Sequence, residues 1–176
     1  MAFSIETTEG SFSLPAEGWL LLFFYAGDFL PVSATELMGL AELQGDLLRQ
    51  GCRILCLSSD SRAVHLAFLE NLRRHRGTPI CFPLGTAPVT EKSILLLHEG
   101  ELMAQFTYPP QVGVNFTEVY RTLLALKTGR STPCGWVPGA NTLALPPATR
   151  GEMDHYMKEQ EKEGRICVDW YICFEN

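Results

Sequence analysis

The chain has 176 residues, 46% of them hydrophobic and 19% charged, with a formal net charge of −6. That is enough apolar material for one compact domain with a full core and a short appendage. The acidic balance argues against a nucleic-acid partner, because phosphate binding needs clustered Lys and Arg and the one dense basic patch is "RRHR" at 73–76. No basic stretch precedes a long apolar run at the N-terminus, and "WLLLFFY" is too short to span a bilayer, so the expectation is a soluble cytoplasmic protein with no membrane partner.

In chain order, "FSIETTEGSFSL" alternates around a Gly-containing turn and predicts a small hairpin, and Trp19 to Tyr25 is an apolar run of the length of a buried strand. A helix follows from Thr35 to Arg49, with Leu37, Leu40, Leu43, Leu47 and Leu48 at helical spacing and Gly51 as its stop. At its head, Ser33 stands three positions before Glu36, the spacing of a capping box in which the serine is structural. "CRILCLS" predicts the next buried strand, and Ser61 to Arg74 an amphipathic helix with basic residues at its C-terminal end. "ICF" at 80–82 is strand-like, "SILLLHEGELMAQF" reads as two strands joined through Glu99 and Gly100, and Asn115 caps a helix from about Phe116 to Lys127.

Strand, helix, strand, helix, hairpin and closing helix is the order of a thioredoxin-like α/β fold, a mixed central sheet flanked by helices, expected over residues 1–127. From Thr128 Pro and Gly dominate; a charged helix candidate and the apolar end "ICVDWYICF" follow. Residues 128–176 therefore read as a C-terminal arm that docks on a partner subunit.

Six cysteines are scattered without the spacing of a zinc site, so neither a structural metal nor a cofactor is expected. Cys52 and Cys56, four apart in a strand, and Cys81 in the strand-like run read as core thiols. Glu152, Asp154, His155 and Glu159 on the late helix can be drawn as a metal site, but a solvated charged face explains them more simply. In an extended tail Cys167 and Cys173 lie about 20 Å apart, too far for a mutual disulfide; only a tight turn through Asp169 and Trp170 would join them.

Three segments, "FFYAGDFLPVSATEL", "GCRILCLSSDSRAVHLAF" and "STPCGWVPGANT", together resemble the peroxiredoxins of the alkyl hydroperoxide reductase and thiol-specific antioxidant type. The resemblance covers most of the chain in the right order and implies a thioredoxin-like fold and thiol-dependent peroxidase ancestry. It also implies a homodimer, with assembly into rings left open, and a thiol reductant protein as partner if the chain is redox active. Phe29, Glu36, Asp60, His65, Gly135, Trp136, Pro138 and Gly139 are retained.

In that family the signature Pro-x-x-x-Thr-x-x-Cys places a cysteine at a helix N-terminus, where the dipole and a loop Arg lower its pKa and make the attacking thiolate. The corresponding positions here are Ala26, Leu30 and Ser33, with Ala34 after the serine and Val114 where the loop Arg is expected. A hydroxyl stays protonated near neutral pH without a strong base, and oxygen cannot follow sulfur to a sulfenic acid. The resemblance thus implies a lost peroxidatic site, and a serine-hydrolase reading fails because "PVSAT" lacks the G-x-S-x-G glycines. His65 reads as structural. The resolving cysteine aligns with Thr132, two positions before Cys134. Two functions follow as expectations: a structural or binding protein without peroxidase chemistry, or a thiol redox enzyme acting through Cys134, Cys167 or Cys173.

Overall fold

The apolar run after Gly18 is an interior strand of a seven-stranded sheet, with Leu20, Leu21, Leu22 and Phe23 all buried. Successive side chains point to opposite faces, so a strand with four successive buried residues has both faces covered and needs no polar alternation. The computed structural model describes residues 3–76 and 79–175, in two compact units, Met1–Val119 and Tyr120–Asn176.

The first unit runs β1 (Phe3–Thr7), β2 (Gly10–Leu14), β3 (Trp19–Phe24), α1 (Pro31–Arg49), β4 (Cys52–Ser58), α2 (Arg62–Arg76), β5 (Leu84–Thr86), β6 (Ser93–His98), β7 (Glu101–Thr107) and α3 (Phe116–Lys127), whose C-terminal part belongs to the second unit. Sheet order is β2-β1-β5-β4-β3-β6-β7. β3 pairs parallel with β4 and antiparallel with β6, so the crossover through α1 joins parallel neighbours and the β6–β7 hairpin closes the edge. Leu20, Leu22, Leu55 and Leu57 pack with Leu14 and Ala16. Phe23, of opposite parity, meets Phe116 edge-on at 5.4 Å. This is the predicted mixed α/β architecture.

One predicted strand is misplaced. "ICF" is irregular, and β5 begins at Leu84. The reason lies in Gln44 of α1, whose amide Nε2 donates to the Pro79 carbonyl at 2.8 Å and whose Oε1 accepts from the Cys81 N–H at 2.8 Å. A side chain thus satisfies the backbone groups a strand neighbour would have taken. Ladder pairing to β4 starts only after it, with Leu84 opposite Cys56. Cys81, expected in the core, is consequently exposed.

In the second unit, β8 (Thr142–Leu143), α4 (Arg150–Lys162), β9 (Ile166–Asp169) and β10 (Ile172–Glu175) form a helix and a three-stranded sheet of order β8-β10-β9. The tail is therefore a hairpin, not an extended segment. β9 and β10 turn through Trp170 and Tyr171, Cys167 stands opposite Cys173, and the two form a disulfide with Cα atoms 4.0 Å apart. The expectation that these cysteines stay unlinked is overturned, because the tight turn reduces the span of an extended strand to a cross-strand distance. Among the described residues no helix is long and apolar enough to cross a membrane.

The β6–β7 turn needs positive φ at both central residues, supplied by Glu99 at 51° and Gly100 at 82°. A Cβ on Gly100 would sit 2.6 Å from Cβ of Pro15, an atom a ring cannot swing away. Gly100→Ala is expected to lower unfolding free energy by about 2 kcal/mol, combining overpacking with backbone strain. Gly113→Ala, with open space around it, is expected to stay within about 0.5 kcal/mol. Urea titration of both variants measures the difference.

Candidate functional site

The chain leaves β3 at Phe24 and reaches α1 through a short loop whose Phe29 takes φ 58°. The Phe29 ring lies 4.9 Å from that of Phe68, a packing contact that holds this unusual backbone. Pro31 opens α1, where its missing N–H costs nothing. Leu30 is the N-cap and offers no side-chain acceptor; its carbonyl accepts from Ala34 N at 2.9 Å.

Ser33 therefore lies inside the first turn, not at the cap, and the predicted capping box does not form. Its Oγ is buried and has no hydrogen-bond partner among the described residues. Glu36 turns elsewhere. Its Oε1 accepts from Lys92 Nζ at 2.8 Å and from the Val114 N–H at 3.1 Å, while its Oε2 is buried and unpartnered. Lys92 Nζ also donates to the carbonyls of Pro110 at 3.2 Å and Val112 at 2.6 Å. Both side chains are 1% exposed, so the pair is sealed from water, and its attraction must offset the loss of hydration on two ions.

Glu36 stands one turn after Ser33 on α1 and is bonded to the Val114 backbone. Val114 contributes an N–H and no charge. Leu30 is largely exposed and lies over Gly27, while Ala26 is exposed. What this arrangement can do chemically is limited: a buried hydroxyl with no base in contact stays protonated, and Lys92, the cation here, is committed to three acceptors. Lys92 escaped the sequence reading, although a lone lysine directly before the apolar run of β6 was a usable signal.

A second buried network lies beside the loop. Tyr25 OH donates to Asp28 Oδ1 at 2.6 Å, and His65 Nδ1 lies 2.7 Å from Asp28 Oδ2 and 3.2 Å from the tyrosine oxygen. Burial, reinforced by the hydrogen bond to Asp28, raises the Tyr25 phenol far above its ordinary value. Asp60 accepts from the Asp28 N–H and from Ser58 Oγ, each at 2.8 Å, tying the loop to the end of β4. His65 is thus tied into this network through Nδ1, while its Nε2 is buried and has no hydrogen-bond partner among the described residues.

The thiols divide clearly. Cys52 and Cys56 are buried, and burial pushes the Cys56 thiol well up, which keeps it protonated and inert. Cys134 is exposed in a turn closed by Trp136 N donating to the Pro133 carbonyl at 3.0 Å, with Gly135 at φ 71°. Residues 133–136 thus form a type II-like turn. Cys167 and Cys173 are consumed by their disulfide. On α4, Glu152 accepts from the Thr149 N–H at 3.1 Å and His155 Nε2 lies 2.9 Å from Glu159 Oε1; the side chain of Asp154 lies outside the described residues. Among the described residues no group of three potential ligands is arranged for a metal ion.

A mixed sheet with this strand order, one long helix after its apolar interior strand and a buried first helical turn define a thioredoxin-like protein. Its likeness to solved peroxiredoxins is extensive. The structure of a cysteine-to-serine mutant of the peroxiredoxin 6 of Arenicola marina superimposes with a TM-score of 0.81 at 22% identity, covering 98% of this chain and 93% of that one. A yeast mitochondrial 1-Cys peroxiredoxin gives 0.81 at 21% identity, covering 99% and 95%. The AhpC/TSA family model matches residues 3–91. A peroxiredoxin of Aquifex aeolicus is 30% identical, covering 98% of this chain and 92% of its own, and peroxiredoxin 2 of Caldanaerobacter subterraneus subsp. tengcongensis is 27% identical, covering 89% and 80%. The chain belongs to the AhpC/TSA family.

Two outcomes test this geometry. Lys92→Met leaves the Glu36 carboxylate buried without a counter-charge and is expected to cost about 3–5 kcal/mol of stability. Adding Glu36→Gln should recover part of it; a single-variant loss below about 1 kcal/mol would place the pair in solvent. Alkylation of the unreduced native protein should label Cys81 and Cys134. Guanidinium should add Cys52 and Cys56, and only a reductant should release Cys167 and Cys173.

Proposed function

We propose that this chain is a cytoplasmic, homodimeric peroxiredoxin-like protein that has lost the peroxidatic cysteine, with Ser33 in its place, and serves a structural or binding role without cysteine peroxidase activity. The observation that carries this reading is the Ser33 hydroxyl, buried in the first turn of α1 without a hydrogen-bond partner among the described residues, one helical turn before a glutamate whose lysine is already committed to it and to two carbonyls. Leu30 and Val114 supply neither the hydrogen bond nor the charge that a reacting peroxide needs.

Dimer formation is supported by β7, an edge strand of seven residues with Leu102 and Met103 exposed, since such an edge is a template for pairing. Exposed Val137, Ile166, Val168 and Tyr171 support docking of the arm, residues 128–176, on a partner subunit. A second reading is favoured by Cys134 alone: an exposed thiol in a turn suits disulfide exchange with a thiol reductant protein, the disulfide of Cys167 and Cys173 being the oxidised pair.

A peroxide-consumption assay with a thiol reductant separates the two. The purified chain should consume hydrogen peroxide no faster than free cysteine does. Ser33→Cys should not restore rapid turnover, because loss of both stabilising groups costs a few kcal/mol in the transition state, each 1.36 being about tenfold in rate. Turnover above background that disappears in Cys134→Ser would establish the second reading instead.

A further inference from the structure

At the opposite end of α1 from Ser33, about 22 Å along the helix axis, an open groove of about 410 Å³ lies between Leu48 of α1, Phe12 of β2, Arg53 and Ile54 of β4, and the segment bearing Cys81 and Phe82. Its volume falls within the roughly 300–1,000 Å³ of small-molecule sites, and such sites combine apolar walls with few polar groups. The wall carrying Cys81 is held by the Gln44 amide bonded to Pro79 and Cys81. Leu48, 70% exposed, presents its side chain to solvent on the final turn of α1.

Arg53 gives the groove its chemical character. Its guanidinium carbon lies 5.1 Å from the centre of the Phe12 ring, Nη2 donates to the Glu17 carbonyl at 3.3 Å, and its remaining N–H donors have no hydrogen-bond acceptor among the described residues. Among the described residues no carboxylate lies within ion-pair distance of it. The neighbouring Arg49 of α1 is already paired with Asp46. One planar cation, held against an aromatic ring and unneutralised at the rim of an apolar groove, matches one carboxylate attached to a hydrocarbon chain. A phosphate dianion would need a second positive group, which the groove does not supply.

We infer that this groove binds an amphipathic monocarboxylate, in chemical class a medium-chain fatty acid, with the hydrocarbon against Phe12, Leu48, Ile54 and Phe82 and the carboxylate on Arg53. The site is independent of the chemistry lost or kept at Ser33.

The test uses the full chain and decanoate below its micellar concentration, following alkylation of Cys81 by peptide mass spectrometry with exposed Cys134 as the internal control. At a decanoate concentration about ten times its Kd, Cys81 alkylation should slow about tenfold by mass action, with Cys134 unchanged. Decyltrimethylammonium and decanol, which offer Arg53 no carboxylate, should bind about tenfold more weakly or worse, as should decanoate to Arg53→Gln. No slowing of Cys81, equal slowing of Cys134, or equal protection by all three amphiphiles would overturn the inference. If Arg53→Gln does not fold, the comparison of decanoate with decyltrimethylammonium on the native chain decides alone.

Discussion

A lysine withdrawn from water must recover a counter-charge and a partner for each of its donors, and Lys92 recovers all of them at once. Glu36 supplies the charge, and the carbonyls of Pro110 and Val112 the remaining acceptors. The segment between β7 and α3 has no regular structure of its own, so this single ammonium fixes its path against α1. The Val114 N–H completes the join on the same carboxylate oxygen. Everything near Ser33 follows from that arrangement: the glutamate cannot cap the helix, the lysine cannot serve an anion, and the loop approaches with a backbone amide in place of a side-chain cation.

The fold was legible because its information is local and periodic. β3 and β4 are short apolar runs, α1 repeats leucine at helical spacing, and Glu99–Gly100 has a chemistry only a tight hairpin uses. What was not legible depends on residues far apart in sequence. Glu36 and Lys92 are separated by 56 positions, and Gln44 and Cys81 by 37. A local reading therefore gave Ser33 a capping role and Cys81 a place in the core. The tail hairpin failed for another reason: Trp170 and Tyr171 at its centre carry none of the Gly, Asn or Asp signal by which two-residue turns are recognised. Of the candidate positions, Val114 is bonded through its N–H to Glu36, one turn after Ser33 on α1, and the resemblance gave no sign of the buried ion pair that Glu36 forms with Lys92.

Residues that invite a catalytic reading are committed here to holding backbone. Asp28, Tyr25 and the Nδ1 edge of His65 bond to one another at the exit of β3, and Asp60 binds the loop above them through the Asp28 N–H. The disulfide at the C-terminus has a similarly local scope. A cross-link enclosing so few residues removes only about 2 kcal/mol of chain entropy from the unfolded state, enough to hold a two-stranded hairpin that is marginal by itself.

Gln44 makes burial a poor measure of constraint along α1. Its side chain is half-buried on a helical surface, where most polar residues are interchangeable, yet it acts as an honorary strand residue by serving both hydrogen-bonding faces of the Pro79–Cys81 backbone. Glutamate at this position keeps the acceptor and loses the donor, lysine does the reverse, and leucine, the better helix former, loses both. Tolerance to substitution on this helix is thus set by the hydrogen-bond grammar of a neighbouring segment, and a position that accessibility would class as permissive accepts almost nothing but a primary amide.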